Sequence, residues 1–357
     1  MKSRFTLTRL RKAIVTVLLI PTLLLTGTPG AQANNHRFFP SSEKVIYALD
    51  ISGSSDVREL WFLLRNSIEN KLPSAMGVPV RDGLRPRLPS DVTVTVINNN
   101  SYLATSVEIL SYSDAERMWA FMIDTVGGGN PSEARMKPIF ADFFGGNGAF
   151  PILVDEFILD EAPVATKEKC EKRALSIFEQ GQFMKNVPPN LKKQGSVEVC
   201  KVILKAQLGL EKADQLLLQG TSCGKMCSDV VGVIKKAAAA ARDLGNGGKL
   251  CLAIASDMLN NSKSVPPGSV WLTLPTIKKA LSEEEARVAG ETVARQSGIF
   301  FPSRVKVRVE IIGQGGNMDP SLSSKLNAFW AGFFDKVGIK NRGLTDSLDK
   351  ACQTKGN

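Results

Sequence analysis

The segment 45–55 constrains the fold more than any other part of the chain. It begins with mostly apolar residues, which predict a buried strand ending at Asp50. The pattern Asp-x-Ser-x-Ser then places Asp50, Ser52 and Ser54 together at the tip of that strand. Apolar residues at helical spacing follow over 56–72, so a helix leaves the turn directly. A strand, a polar turn and an amphipathic helix in this order are typical of the functional crevice of an open α/β sheet.

The side chains at this strand tip are hard oxygen ligands. One carboxylate and two hydroxyls stand together without a histidine or a thiolate, a combination that suits Mg²⁺, Mn²⁺ or Ca²⁺. Aspartate and serine are also good helix caps, so a plain polar N-cap is the alternative interpretation of the same motif.

Residues 1–33 have the pattern of a secretory signal peptide. A basic start precedes a short apolar core over 13–25, and Ala31-Gln32-Ala33 provides small residues for cleavage. We therefore predict an exported protein, periplasmic or secreted, that begins near Asn34. No later apolar run is long enough to predict a transmembrane anchor.

The charge of the mature chain is modest. Removing the signal peptide takes five positive charges from the formal +10 and leaves about +5, and no block of like charge occurs. This balance does not favour a nucleic-acid partner.

The cysteines predict disulfides. An even number in an exported chain favours pairing, whereas zinc is poorly supported because the only histidine, His36, lies at the mature N-terminus. The favoured pair is Cys170–Cys200, within a predicted helical hairpin, while Cys251 lies in an apolar strand and is equally compatible with a buried thiol. Cys223 and Cys227 suit a structural staple or a redox-sensitive one. The six cysteines are Cys170, Cys200, Cys223, Cys227, Cys251 and Cys352.

Strand and helix patterns alternate along most of the mature chain. This order predicts an α/β fold with a doubly wound, mostly parallel sheet and helices on both faces, formed by 34–110 and 220–340. The predicted strands after the first are 92–97, 103–110, 249–256 and 305–313, and the predicted helices around them are 113–125, 228–244, 281–297 and 321–337.

The region 111–219 is predicted to be a large insertion. Glycines and prolines interrupt 127–165 while phenylalanines keep it apolar, which predicts an ordered or ligand-folded loop. The part 166–219 contains two helix patterns separated by prolines and predicts a helical hairpin. Residues 341–357 are predicted to be a C-terminal tail.

Two later segments supply further oxygen ligands. Asp257 follows the strand 249–256, and Thr221 precedes the helix that leads into that strand. With Asp50, Ser52 and Ser54, they resemble the metal-ion-dependent adhesion site of von Willebrand factor type A domains, whose D-x-S-x-S motif is matched completely. The resemblance implies that both serines and Thr221 bind the cation directly, while Asp50 and Asp257 hold coordinated waters. It also implies that an acidic residue of a partner protein completes the coordination.

The chain departs from the family pattern in two places. Met258 stands where the family often has glycine after the second aspartate, and Thr221 is unusually far from Asp50 in sequence. Thr125 is therefore a rival for the threonine position.

Two other classes of function remain open. A metal-dependent hydrolase or phosphatase of the cell envelope is the alternative for the same crevice, although Ser52 stands where haloacid dehalogenase-type phosphotransferases have a second acid. A structural envelope protein with a vestigial site is the third. The sequence leaves the oligomeric state open.

Overall fold

Strand β1 (Glu43–Asp50) is an interior strand of the sheet. Its residues from Val45 to Asp50 are all buried, as expected for a strand that is paired on both sides. The computed structural model describes residues 43–51, 61–62, 65–66, 68, 90–98, 100–128, 133–145, 147–159, 166–219, 228–260, 282–313, 319–344 and 352.

The strands form a six-stranded sheet in the order β3-β2-β1-β4-β5-β6. All neighbours are parallel except β3, which returns antiparallel to β2. The strand order reverses between β1 and β4, and open α/β sheets commonly bind ligands at the carboxyl ends of strands at such a point. The predicted mixed α/β class with a mostly parallel sheet is confirmed. The further strands are β2 (Ser90–Ile97), β3 (Ser106–Leu110), β4 (Lys249–Ala255), β5 (Lys306–Ile312) and β6 (Asn341–Leu344).

The helices agree with the periodicity of the sequence over most of the described chain. They are α1 (Tyr112–Ala120), which continues as a π-helical turn (Phe121–Val126), α2 (Glu133–Phe144), α3 (Ala149–Val154), which continues as Asp155–Leu159, α4 (Lys167–Gln180), α5 (Pro189–Gln219), α6 (Val230–Arg242), α7 (Glu283–Ser297) and α8 (Pro320–Val337). Helix α7 begins with a capping box formed by Ser282 and Glu285, as its acidic first turn suggests. Of the predicted helix 56–72, residues 61, 62, 65, 66 and 68 are described and all are helical.

The prediction of a loop over 127–165 was wrong, because α2 and α3 occupy much of this segment. Pro138 lies inside α2, where a proline costs about 3 kcal/mol, and Pro151 lies in the first turn of α3, where its missing N–H costs little. Burial of a phenylalanine contributes about 1.5–3 kcal/mol, so several of them offset the broken helical hydrogen bond. The buried phenylalanines are Phe140, Phe143, Phe144 and Phe150.

The predicted helical hairpin is confirmed. Helices α4 and α5 are joined by the disulfide Cys170–Cys200, with a Cα–Cα distance of 5.8 Å. Asp214 of α5 also accepts hydrogen bonds from Trp61 Nε1 at 2.5 Å and Arg65 Nη1 at 2.9 Å. The insertion is therefore tied to the helical residues that follow the Asp-x-Ser-x-Ser motif.

Alternate side chains of β1 belong to two hydrophobic clusters. Val45, Tyr47 and Leu49 pack in a cluster that includes residues of α1 to α5, so the insertion shares a core with the sheet. Ile46 and Ala48 pack in a second cluster with residues of α6, α7 and α8. Residues 38–357 form one compact unit.

The predicted C-terminal tail contributes to the sheet. Residues 341–344 form β6 at its edge, and Cys352 forms a disulfide with Cys251 of β4. The backbone N–H of Cys352 donates a hydrogen bond of 2.5 Å to Glu310, which is buried and also paired with Arg308. The interpretation of Cys251 as a buried thiol is therefore corrected.

The sequence predicts an N-terminal signal peptide and no transmembrane anchor after it. Within the described residues, none of the helices combines the length and the apolar composition needed to cross a bilayer. The predicted signal peptide, 1–33, lies outside the part of the chain that the structure describes.

Candidate cation site at the end of β1

The carboxylate of Asp50 is held by two serine hydroxyls. Asp50 is the last residue of β1 and has no solvent-exposed surface. Its Oδ2 accepts a hydrogen bond of 2.7 Å from Ser256 Oγ, and its Oδ1 accepts one of 3.1 Å from Ser228 Oγ. Both serines are themselves buried, so these contacts set the orientation of the carboxylate.

The sheet register explains why Asp50 meets Ser256. Strands β1 and β4 are parallel neighbours with Leu49 opposite Ala255. The residues that follow them, Asp50 and Ser256, therefore lie at the same level of the sheet. The backbone N–H of Ser256 donates to Ile312 O at 3.0 Å, which extends the β4–β5 pairing by one residue. The pair thus lies where the strand order reverses, the position at which open α/β sheets bind ligands.

Ser228 reaches Asp50 because the start of α6 is fixed against the end of β2. Asp229 is the N-cap of α6 and accepts from the N–H of Gly232 at 2.8 Å, and also from the N–H of Ser101 at 2.8 Å. The N–H of Asp229 donates to Asn98 O at 2.8 Å. A Cβ atom on Gly232 would lie 1.9 Å from Asp229 Oδ2, so any larger residue there would displace the capping carboxylate.

Asp257 supplies a second carboxylate at the same edge of the sheet. It follows Ser256 and is partly buried, and its Oδ1 accepts the N–H of Leu259 at 2.9 Å. Asp50 and Asp257 thus give this edge of the sheet two carboxylates, and carboxylate oxygens suit a hard divalent cation.

Met258 adopts a backbone conformation that usually requires glycine. Its φ of 63° lies in the left-handed region, which costs a side-chain-bearing residue about 1–2 kcal/mol. Three contacts compensate: the side chain is fully buried, the N–H donates to Ser256 Oγ at 2.9 Å, and the carbonyl accepts Trp330 Nε1 at 2.9 Å. Met258 thus occupies a position where glycine would be unstrained, and its buried side chain adds packing.

The Met258→Gly substitution is expected to destabilise the protein by about 1–4 kcal/mol. Truncating a buried methionine costs about 2–5 kcal/mol, while relief of the left-handed strain returns about 1 kcal/mol. Urea unfolding measures the difference. Met258→Leu is the control, because it conserves volume and strain and should cost less than about 1.5 kcal/mol. A Met258→Gly variant at least as stable as the wild type would show that backbone strain dominates at this position.

The remaining predicted ligands are placed as follows. Ser52, Ser54 and Thr221 lie outside the described residues, as do Cys223 and Cys227. Thr125, the rival for the threonine position, is exposed on the π-helical turn after α1.

Sequence reasoning missed three polar side chains at this edge. Ser228 and Asp229 immediately precede an apolar helix, which signals a helix start but not a contact with Asp50. Asn260 is buried, and its Oδ1 accepts the N–H of Val231 at 3.0 Å. Among the described residues, Asn260 Nδ2 has no hydrogen-bond partner.

A second group of potential metal ligands does not form a metal site. Cys251, Glu310 and Cys352 bring their ligand atoms within 4.8 Å of one another. The two sulfur atoms are joined in a disulfide, so no thiolate is present to bind a cation.

The fold and the site define a class: a mixed α/β protein with a mostly parallel sheet and a buried, hydrogen-bonded carboxylate where the strand order reverses. No family model and no curated protein matches the chain. Among solved structures, the human COPII-coat protein Sec24c is similar at 11% sequence identity and a TM-score of 0.33. The match covers 87% of this chain and 31% of that chain, so this protein spans about a third of Sec24c. Values this low assign neither a fold nor a function.

Proposed function

We propose that this protein is an exported, divalent-cation-dependent protein-binding module of the von Willebrand factor A type. The observation that carries the proposal is the buried Asp50 carboxylate, oriented by Ser228 and Ser256 at the switch point of the sheet. A carboxylate that hydroxyl donors hold in place can orient the water molecules bound to a cation. A helix-capping aspartate exposed to solvent would lack this fixed orientation.

Each residue of the motif has a role in the proposal. Ser52, Ser54 and Thr221 bind the cation through their hydroxyls, and Asp50 and Asp257 hold coordinated waters. Mg²⁺ is the favoured cation, with Mn²⁺ or Ca²⁺ as alternatives. When bound, the cation offers a coordination position to a carboxylate of the partner protein.

The architecture and location belong to the same proposal. We infer a doubly wound sheet with helices on both faces, which the division of β1 side chains between two clusters supports. Disulfides are compatible with export to an oxidising compartment, periplasmic or extracellular.

Calorimetric titration of residues 34–357 with Mg²⁺ and Mn²⁺ tests the site. Ser52→Ala and Thr221→Ala are each expected to weaken cation binding at least about tenfold, because each removes a ligand. Thr125→Ala is expected to bind like the wild type, which separates the two threonines. Unchanged binding in both ligand variants would overturn the proposed site.

An activity assay distinguishes binding from catalysis. Wild-type protein is expected to leave phosphate esters intact in the presence of Mg²⁺ or Mn²⁺, because the proposed site only binds. Cation-dependent turnover that Asp50→Asn abolishes would instead assign a hydrolase.

A further inference from the structure

The turn between β2 and β3 exposes two apolar side chains beside the crevice. Leu103 is 75% exposed and Tyr102 is 40% exposed, although the preceding Ser101 is fully buried. The turn follows Ile97, which is paired with Asp50, so it lies at the edge of the sheet that carries the candidate cation site.

This turn is held firmly against α6. Besides the bond from Ser101 N–H to Asp229, Ser101 Oγ accepts the N–H of Asn98 at 3.0 Å. Lys236 of α6 donates to Ser106 Oγ at 2.9 Å and to the carbonyl of Ala104. Burial lowers the pKa of the Lys236 ammonium, as expected for a cation enclosed by the turn.

The turn presents its two exposed side chains from a backbone that is already held in place. Isolated exposed apolar residues are common and need no partner. Tyr102 and Leu103 differ because the backbone of their turn is held by Asp229. The residue before Asp229 is Ser228, which donates a hydrogen bond to Asp50. A turn whose backbone is already ordered loses little conformational entropy on binding, which favours a role in recognition.

The charge beside the turn selects the kind of partner. Lys235 Nζ lies 4.9 Å from the centroid of the Tyr102 ring, a cation–π contact, and Lys235 is exposed. A divalent cation at the neighbouring site would balance the carboxylates of Asp50 and Asp257, so Lys235 supplies the positive charge of this edge. This edge therefore complements a segment that is acidic as well as apolar.

We propose that Tyr102, Leu103 and Lys235 form a docking surface for an acidic protein segment. An apolar residue of that segment packs on Leu103 and Tyr102, one carboxylate pairs with Lys235, and another reaches the cation at the end of β1. This inference rests on the proposed function and adds the chemistry of the partner to it.

Selection from a random-peptide library displayed on phage tests the docking surface. The bait is residues 34–357 with Mg²⁺ present, and bound phage are released with EDTA. Released peptides are expected to carry an acidic residue close to an apolar one. Leu103→Ser is expected to weaken their affinity about tenfold, and Tyr102→Ser to weaken it in the same direction, while calorimetric Mg²⁺ binding stays unchanged.

The matched control is Phe300→Ser. Phe300 is 57% exposed and lies against Arg242, whose guanidinium carbon is 5.4 Å from the ring centroid. It precedes β5 and so lies at the opposite edge of the parallel strands. This variant repeats the loss of an exposed aromatic residue away from the crevice, and we expect it to bind the peptides like the wild type.

Each other outcome has a definite meaning. If EDTA-released peptides bind Leu103→Ser and Tyr102→Ser as well as the wild type, the docking surface is wrong while the cation site stands. If no peptide is released by EDTA although Mg²⁺ titrates, the docking surface is also wrong. If the calorimetric titration shows no Mg²⁺ binding, the proposed function is wrong and the docking surface is wrong with it.

Discussion

Replacing Asp50 with Asn is expected to remove most of the stability that the protein gains from Mg²⁺. A ligand that binds only the folded chain stabilises it by about 2.7 kcal/mol at a hundred times its Kd. Losing a carboxylate that orients a cation's ligands lowers metal affinity about ten- to a hundredfold. At the same Mg²⁺ concentration, the variant should therefore keep only about 0.4–1.4 kcal/mol of that gain.

Urea unfolding in Mg²⁺ and in EDTA measures this gain directly. In EDTA the variant should lie within about 1 kcal/mol of the wild type, because the amide is nearly isosteric and serine hydroxyls can donate or accept. Asp243→Asn is the control, since Asp243 is exposed at the other end of α6 and its loss should leave the Mg²⁺ gain intact. An equal gain in Asp50→Asn and the wild type would remove Asp50 from the site.

The double variant Cys251→Ala, Cys352→Ala is expected to lose about 2–5 kcal/mol of unfolding free energy. The disulfide closes a loop with a sequence separation of 101 residues, so the unfolded chain gains much freedom when it is absent. It also holds the backbone N–H of Cys352 against the buried carboxylate of Glu310. Urea unfolding measures the loss, and replacing both cysteines leaves neither partner of this disulfide as a thiol.

The double variant Cys170→Ala, Cys200→Ala provides the comparison. Its disulfide spans 30 residues, so the chain-entropy model gives it a stabilisation smaller by about 1 kcal/mol. A larger loss in this hairpin variant than in the Cys251, Cys352 variant would show that the C-terminal segment is held to β4 mainly by non-covalent contacts.

The local sequence pattern predicted most of the strands and helices. It failed where burial in the tertiary core stabilises helices that contain prolines and glycines. The strand 92–97 and the helix 281–297 are predictable from the sequence because a run of β-branched residues and an acidic first turn are local signals. The segment 127–165 was misread because its prolines and glycines dominate the local signal. The core that buries Phe143 and Phe150 stabilises the helices there, and that core involves the distant strands of the sheet.

The candidate site was predictable only in part, because some of its residues follow a local signal and others are brought close only by the fold. A strand end followed by a helix marked Asp50, and the end of another strand marked Asp257. Ser228 was missed because a helix start looks the same whether or not its hydroxyl meets a distant carboxylate. The positive φ of Met258 was equally hidden, since nothing local requires a methionine to adopt it.

The sequence by itself determined the succession of strands and helices and the oxygen chemistry at the end of β1, since both follow from neighbouring residues. Only the tertiary structure decided how Asp50 is oriented, because its hydroxyl donors lie 178 and 206 residues away along the chain. The physical reason is the parallel sheet: its neighbouring strands are joined by long crossovers, so side chains that meet at their ends are distant in sequence.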